Sequence, residues 1–275
     1  MSSLAPFPRF VQAYPDESCY SFLCRIFVFT TLSSARFCKM LFGKILPLDG
    51  LLYKPLKSRD LPALSQDPAG LGKELFVHHS CIPYWYPFLR EIDQKLSLSW
   101  YGGETLAAGQ YKRLSRSFGY RKWKKEHLFY CSECVRQDRI RYGETYWHMI
   151  HQLPGVSVCP AHRVCLKESA ASVRETRYNL LPAEYVLKQA GYDVAGAFTE
   201  MEYQVARISM HLLENGFSSQ RILELSQGDM DGRQQRLPEE AEAILKSSFR
   251  SEMDYRGTPL YSILTLVCNQ SGRIL

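Results

Sequence analysis

A chain of 275 residues, 45% apolar and 23% charged, has the composition of a folded protein and enough length to bury a core in one large domain or two small ones. Its net charge of +6 permits a nucleic-acid partner without demanding one, so the distribution of charge has to decide. The nine cysteines are an odd number scattered through a chain too large to need disulfide staples, and no signal-peptide pattern precedes them. They read as reduced, metal-competent thiols of a cytoplasmic protein. The longest apolar run, residues 19–32, is broken by Arg25 and too short to span a bilayer, which argues against a membrane partner.

After a lead containing Pro6, Pro8 and Pro15, Asp16 stands where a helix N-cap belongs. Cys19, Phe22, Leu23, Ile26 and Phe27 then recur at helical spacing. Residues 30–33 interrupt the pattern, Ser33 or Ser34 can cap again, and Phe37, Cys38, Leu41 and Phe42 mark a second helix that Gly43 can stop. Two short helices with a brief turn fit a helix-turn-helix unit or an ordinary helical hairpin. With only Arg36 and Lys39 on the second helix, composition slightly favours the hairpin. Residues 46–72, with Pro47, Pro55, Pro62 and Pro68, read as a loop-rich connection. His78, His79 and Cys81 cluster without a metal-knuckle spacing and fit a partly buried helix end. Tyr84, Trp85, Tyr86 and Phe88 could stack on bases, but packing against the metal module downstream is favoured.

Lys112, Arg113, Arg116, Arg121, Lys122, Lys124 and Lys125 follow one another with no acid between them, interleaved with Tyr111, Phe118, Tyr120 and Trp123. A solvated helix face usually mixes signs. This one does not, so contact with phosphates or an acidic partner is the preferred reading.

The richest stretch is residues 129–166. Cys131 and Cys134 form a CxxC knuckle, and Cys159 and His162 form a CxxH knuckle after an aromatic insert. A tight turn lets two ligands three positions apart face one ion, and two such turns complete a tetrahedron. Three thiolates and an imidazole select zinc, and four protein ligands leave no place for a reacting water, so a structural site is expected. Ser132 and Pro160 are turn-formers beside the two pairs. Within the insert Tyr146, Trp147, His148 and His151 are expected to pack the core, with His151 an alternative ligand should His162 not serve.

This stretch resembles the TniQ family, the target-selection proteins of heteromeric transposons that include the longer TnsD proteins. The family pattern is a CxxC knuckle, an aromatic-rich insert ending in a Gln-Leu segment, and a CPxH knuckle followed by a leucine. Here these are Cys131 and Cys134, Tyr146-Trp147 with Gln152-Leu153, Cys159-Pro160-Ala161-His162, and Leu166. The chain also opens like the family, with Pro15-Asp16-Glu17-Ser18, Ser21-Phe22-Leu23 and Arg25. The resemblance covers roughly residues 6–166 and thins beyond Leu166. Some relatives carry a second knuckle pair there, but here only Cys165 and the distant Cys268 remain, which makes a second zinc doubtful.

The last hundred residues read as helices. Thr199 and Glu202 form a capping box, Met201, Val205, Ile208 and Leu212 a stripe, and Asn215-Gly216 a stop. A second helix is expected from Ser218 or Ser219 through Ile222 and Leu225 to Gly228. A third begins at Pro238, with Glu239 and Glu240 at its positive end and Lys246 and Arg250 near its negative end. The tight turn between the first two again permits a helix-turn-helix, a plain bundle being as good a fit. The apolar tail, residues 261–267, could be strand or helix.

The expected fold is mostly α-helical, with helix-turn-helix-like units flanking a zinc-knuckle module. The expected division is residues 1–105 for an N-terminal helical region, 106–170 for the basic segment and zinc module, and 171–275 for a C-terminal helical region. What the resemblance implies is a non-catalytic adaptor in DNA transposition, with zinc as its cofactor. Its partners would be the transposon's AAA+ regulator and either target DNA or an RNA-guided CRISPR effector ribonucleoprotein. The chain is short for a TnsD-like protein with an extended DNA-reading half, which tilts the expectation toward the RNA-guided route. The number of copies is open, a homodimer being one arrangement. The rivals are a zinc-containing helix-turn-helix transcription regulator and an enzyme. Closed coordination and metal-committed thiols argue against the enzyme.

Overall fold

The computed structural model of the chain describes residues 12–56, 61, 64–65, 67–101, 104, 106–117, 125–189, 196–218, 238–249 and 258–269. Among them the protein is mostly α-helical. The helices are α1 (Cys19–Val28), α2 (Ser34–Phe42), α3 (Pro68–His78), α4 (Ile82–Trp85), α5 (Glu91–Tyr101), α6 (Ala108–Ser117), α7 (Ser132–Tyr142), α8 (Ala183–Val186), α9 (Glu200–Asn215), α10 (Glu239–Ser248) and α11 (Pro259–Asn269). One antiparallel pair of strands, β1 (His127–Tyr130) and β2 (Lys167–Ser172), is the only sheet among the described residues. None of their helices is long and apolar enough to cross a membrane.

The first helix is central. Ser18, not Asp16, caps α1, its hydroxyl accepting from the Ser21 N–H. Asp16 instead turns the chain with a left-handed φ of 58°, a conformation aspartate tolerates better than most residues. Every α1 residue from Cys19 to Ile26 is buried, so the apolar stripe read from its spacing is one side of a helix enclosed all round. In contrast, α2 is one-sided. Phe37, Cys38 and Leu41 face inward and Arg36 and Lys39 outward, between a Ser33 cap and a left-handed Gly43.

The expected loop ends earlier than Gly72. Pro68 starts α3, where its missing N–H costs nothing, and Asp67 caps it by accepting from the Gly70 N–H. His79, just past that helix, is buried with its ring Nδ1 2.8 Å from the Glu17 carbonyl. The aromatic run of α4 packs mainly against α9 rather than the metal module, and the Tyr86 ring lies 4.7 Å from that of Phe217.

The capping box of α9 forms as its sequence indicates, and Val205, Ile208 and Leu212 are buried. Gly216 follows, but not as a left-handed stop. Its φ is −58° and it leads into a short 3-10 turn. A glycine is needed there because a Cβ would collide with the carbonyl oxygen of Pro83, so this is a close approach of two backbones. The helix expected through Ile222 and Leu225 lies outside the described residues. The tail is helical, as α11, and packs on α9.

The buried core draws on the whole chain, with Phe22, Leu52, Ile82, Trp147, Val205 and Leu260 in one cluster. The Tyr20 hydroxyl donates to the Asn179 carbonyl (2.7 Å) and accepts from the Leu181 N–H (2.9 Å), while the Trp147 indole donates to the Leu181 carbonyl (2.8 Å). A segment after the metal module is thereby stitched to the first helix.

Two buried ionic groups lie between the chain's opening and the insert of the metal module. Arg25 bridges Glu17 and Glu144, each at 2.8 Å, and lies 3.4 Å from the centre of the Tyr14 ring. Burial pushes Glu17 up to about 7 against the pull of Arg25. His148 sits between Asp138 (3.0 Å) and Asp16 (3.4 Å), and Thr145 also donates to Asp138. Burial alone would lower His148, but its hydrogen bonds to Asp138 and Asp16 outweigh that and raise it to about 9. Burial also raises Asp16 in spite of His148, whose closer partner is Asp138.

Because the folded-state pKa of His148 is raised, its stabilisation is complete below pH 6.5, where both states are protonated, and is lost as pH rises to about 9. The Lys125 amine, lowered to about 7 by burial, acts with the opposite sign over part of that range, so a difference between variants is the proper readout. The stability advantage of wild type over His148→Gln, measured by urea unfolding, should shrink by up to roughly 3 kcal/mol between pH 6.5 and 9. A difference that is flat across that window would contradict the ion pair.

Candidate metal centre

The two knuckles are built by different local structures. At the first, β1 runs directly into α7, and Cys131 is both the end of the extended segment and the N-cap of the helix. Its sulfur accepts from the Cys134 N–H at 3.5 Å. Both thiols of this pair therefore lie at the positive end of a helix, which favours thiolate. The second knuckle is a turn closed by the Arg163 N–H donating to the Cys159 carbonyl (2.9 Å) and the Cys159 N–H donating to the Val164 carbonyl (2.8 Å). Arg163 takes a left-handed φ of 53° to complete it.

The two strands close the module at its base. β1 enters the first knuckle and β2 leaves the second, with Tyr130 opposite Lys167 and Phe129 opposite Glu168. Gln152 adds to them. Its buried side-chain amide accepts from the Phe129 N–H (3.0 Å) and donates to the carbonyls of Phe129 (2.9 Å) and His148 (3.0 Å), imitating a backbone strand. On the other flank, Glu202 accepts from Ser157 (2.7 Å) while completing its own capping box, which joins α9 to the second knuckle.

Cys131, Cys134, Cys159 and His162 converge, with all four donor atoms within 4.8 Å of one another. His162 Nδ1 is 3.5, 3.3 and 3.5 Å from the sulfurs of Cys131, Cys134 and Cys159, and the Cys134 and Cys159 sulfurs are 3.7 Å apart. Around a tetrahedral ion with thiolates at about 2.3 Å and an imidazole nitrogen at about 2.0 Å, such edges are roughly 3.8 Å and 3.5 Å. These donors could hold a metal ion, and their spacing and chemistry are compatible with zinc.

Their proton affinities show why a cation suits the pocket. Hydrogen bonds from Cys134 and Cys159 hold the Cys131 thiol well below its ordinary value. The same contacts with Cys131 drive Cys134 up and Cys159 up to about 12. Burial and mutual contact oppose the ionisation of all three thiols together. A bound dication lets all three ionise.

The four residues paired by their spacing are the ones whose donor atoms converge, but the spacing says less of what surrounds them. His162 takes the fourth corner, whereas His151 is completely buried one step behind Cys134, with its Nε2 3.8 Å from that sulfur. Burial pushes the His151 imidazole well below its ordinary value.

The basic run divides. Lys112 is exposed on α6, while Arg113 on the same helix reaches Asp93 at 2.6 Å and ties α6 to α5. Arg116 lies on α6, and Arg121, Lys122 and Lys124 lie outside the described residues. Lys125 departs from the expected phosphate contact. Its ammonium turns inward and donates to the carbonyls of His151 (2.6 Å) and Val156 (2.9 Å). Its place at the end of a basic run hides this, and only its position two residues before β1 could have signalled it.

The insert also carries the contact to the chain's opening. The Met149 N–H donates to the Asp16 carbonyl (2.7 Å), the Ser18 N–H to the Trp147 carbonyl (3.1 Å), and the Trp147 N–H to the Ser21 hydroxyl (2.9 Å). The Ile150 N–H reaches the Asp16 carboxylate at 3.2 Å, and Glu17 pairs with His148 as an antiparallel bridge. The opening pattern and the aromatic insert, read separately from sequence, are therefore two sides of one contact.

No curated protein matches the chain. The family model TniQ matches residues 8–166. That match takes in both sides of this contact and all four candidate ligands over more than half of the chain, and the protein belongs to the TniQ family.

Proposed function

We propose that this protein is a non-catalytic target-selection adaptor of DNA transposition. One surface engages the target marker, a DNA site or an RNA-guided CRISPR effector complex, and another recruits the AAA+ regulator that calls in the transposase. Family membership carries this reading, because the match spans the opening segment and the metal module together. A rigid scaffold that presents two moderate interfaces raises the effective concentration of one partner beside the other without any chemistry of its own. The reading assigns zinc to the metal site and a structural role to that zinc. Four protein donors leave no position for an attacking water, and thiolates bound to metal are not free nucleophiles.

The metal assignment predicts one zinc per chain by elemental analysis. Structural zinc contributes on the order of 10 kcal/mol to small modules, so Cys131→Ser should lose the fold of the region from β1 to β2. Zinc-free wild-type protein, or a Cys131→Ser chain that keeps native near-ultraviolet circular dichroism without metal, would refute it.

Phosphate contact, in this reading, falls to Lys112, Arg121, Lys122 and Lys124. Replacing these four by Ala should flatten the log–log salt dependence of duplex DNA binding by about 0.9 per lost contact. Arg113→Ala should leave the slope alone and lower stability. A quadruple variant with the wild-type slope would remove this segment from the interface.

The adaptor role itself is tested by reconstitution with a TniQ-type transposon's AAA+ regulator, transposase and target. Insertions should cluster at the marked site only when this protein is present, and naked target DNA against target plus CRISPR complex separates the two routes. If omission leaves insertion position and frequency unchanged, the adaptor reading fails and a zinc-containing helix-turn-helix transcription regulator becomes the better account.

A further inference from the structure

His151 is buried to 1% exposure beside the candidate metal site, yet it is not one of the four converging donors. Its ring makes a single hydrogen bond, from Nε2 to the Cys134 sulfur at 3.8 Å, and its Nδ1 finds no partner among the described residues. A neutral imidazole has one N–H. With an acceptor only on the Nε2 side, the proton belongs there, pointing at the sulfur.

The residue is anchored at its backbone and packed at its ring. Its own carbonyl accepts from Lys125 at 2.6 Å, and its ring lies 4.9 Å from that of His148, which Asp138 and Asp16 fix in place.

We infer that His151 is a positioning residue of the metal centre, whose Nε2–H donates to the Cys134 thiolate and stabilises it as a ligand. The inference rests on the zinc reading of the four donors. Three thiolates and a neutral imidazole around a dication leave the site with one net negative charge, and a buried N–H aimed at one sulfur offsets part of it. The donor also lowers that sulfur's affinity for a competing proton. Among the described residues nothing on the Nδ1 side of the ring takes a proton, so the donor points at the sulfur.

The test uses cobalt(II) in the full-length chain, read by competition with a chelator and by the thiolate-to-cobalt charge-transfer band. Gln can place its amide nitrogen near the position of Nε2, whereas the shorter Asn cannot. His151→Gln should therefore keep metal affinity within a few-fold, while His151→Asn and His151→Phe lose about 10- to 100-fold. In the two weakened variants the charge-transfer band should shift, while the strong d–d bands of a tetrahedral site persist. Equal affinity and an unmoved band in the Gln and Asn variants would overturn the donor role, and this pair decides the matter even if His151→Phe does not fold. Loss of the tetrahedral d–d bands in His151→Asn would overturn it in favour of direct ligation. A wild-type chain that binds no cobalt or zinc would remove the metal reading and this inference together, so the two failures are distinguishable.

Discussion

The backbone of residues 16–18 is hydrogen-bonded to that of residues 147–149, and the rest of the structure depends on that contact. It joins two stretches well over a hundred residues apart and fixes both at once. On one side it sets the first turn of α1, because Ser18 caps the helix while its N–H is held by Trp147. On the other it sets the path of the insert, which then carries Gln152 to β1 and His151 to the back of Cys134. Closing so long a loop is entropically costly, and the return comes from burying Trp147 and α1 from Cys19 to Ile26 around the seam. The ionic groups make the seam specific rather than merely sticky. Removing Arg25 would leave the fully buried Glu17 without its ion-pair partner, a change of the kind that typically costs about 3–5 kcal/mol.

A metal held by two knuckles and a short sheet makes a compact staple, but a small module of this kind has little core of its own. Here it borrows one. The insert packs into the helical body, α9 is fastened to the second knuckle through Glu202 and Ser157, and Arg163 lies 4.3 Å from the centre of the Tyr203 ring. A metal held at the candidate site would thus stabilise the same segments as the helix packing does. For a protein proposed to hold two partners in fixed relation, that coupling is the physical requirement, since flexibility between the surfaces would dilute the tethering effect.

Much of this was legible in the sequence where the signal is local. The ligand spacing gave the four donors, the Thr199 and Glu202 capping box gave the start of α9, and Ser33 and Gly43 gave both ends of α2. What escaped depends on tertiary partners. Residues 167–172, Lys-Glu-Ser-Ala-Ala-Ser, have no strand-favouring side chains and form β2 only because β1 and the knuckles bring them alongside. Asp16 looks like a cap by composition, yet an insert amide claims its carboxylate. Gly216 looks like a helix stop, but the reason for glycine is the Pro83 carbonyl from a distant helix. Lys125 belongs by sequence to a basic run and by structure to the support of His151.

Joined by this seam, the metal module and the opening helix should unfold as one cooperative unit. Hydrogen exchange of the metal-loaded chain, compared with the same chain after chelation, tests it most directly. If the seam couples them, stripping the metal should remove protection from the amides of α1, in residues 19–28, along with those of α7 in residues 132–142. Protection of α1 that survives chelation unchanged while α7 exchanges freely would contradict the coupling.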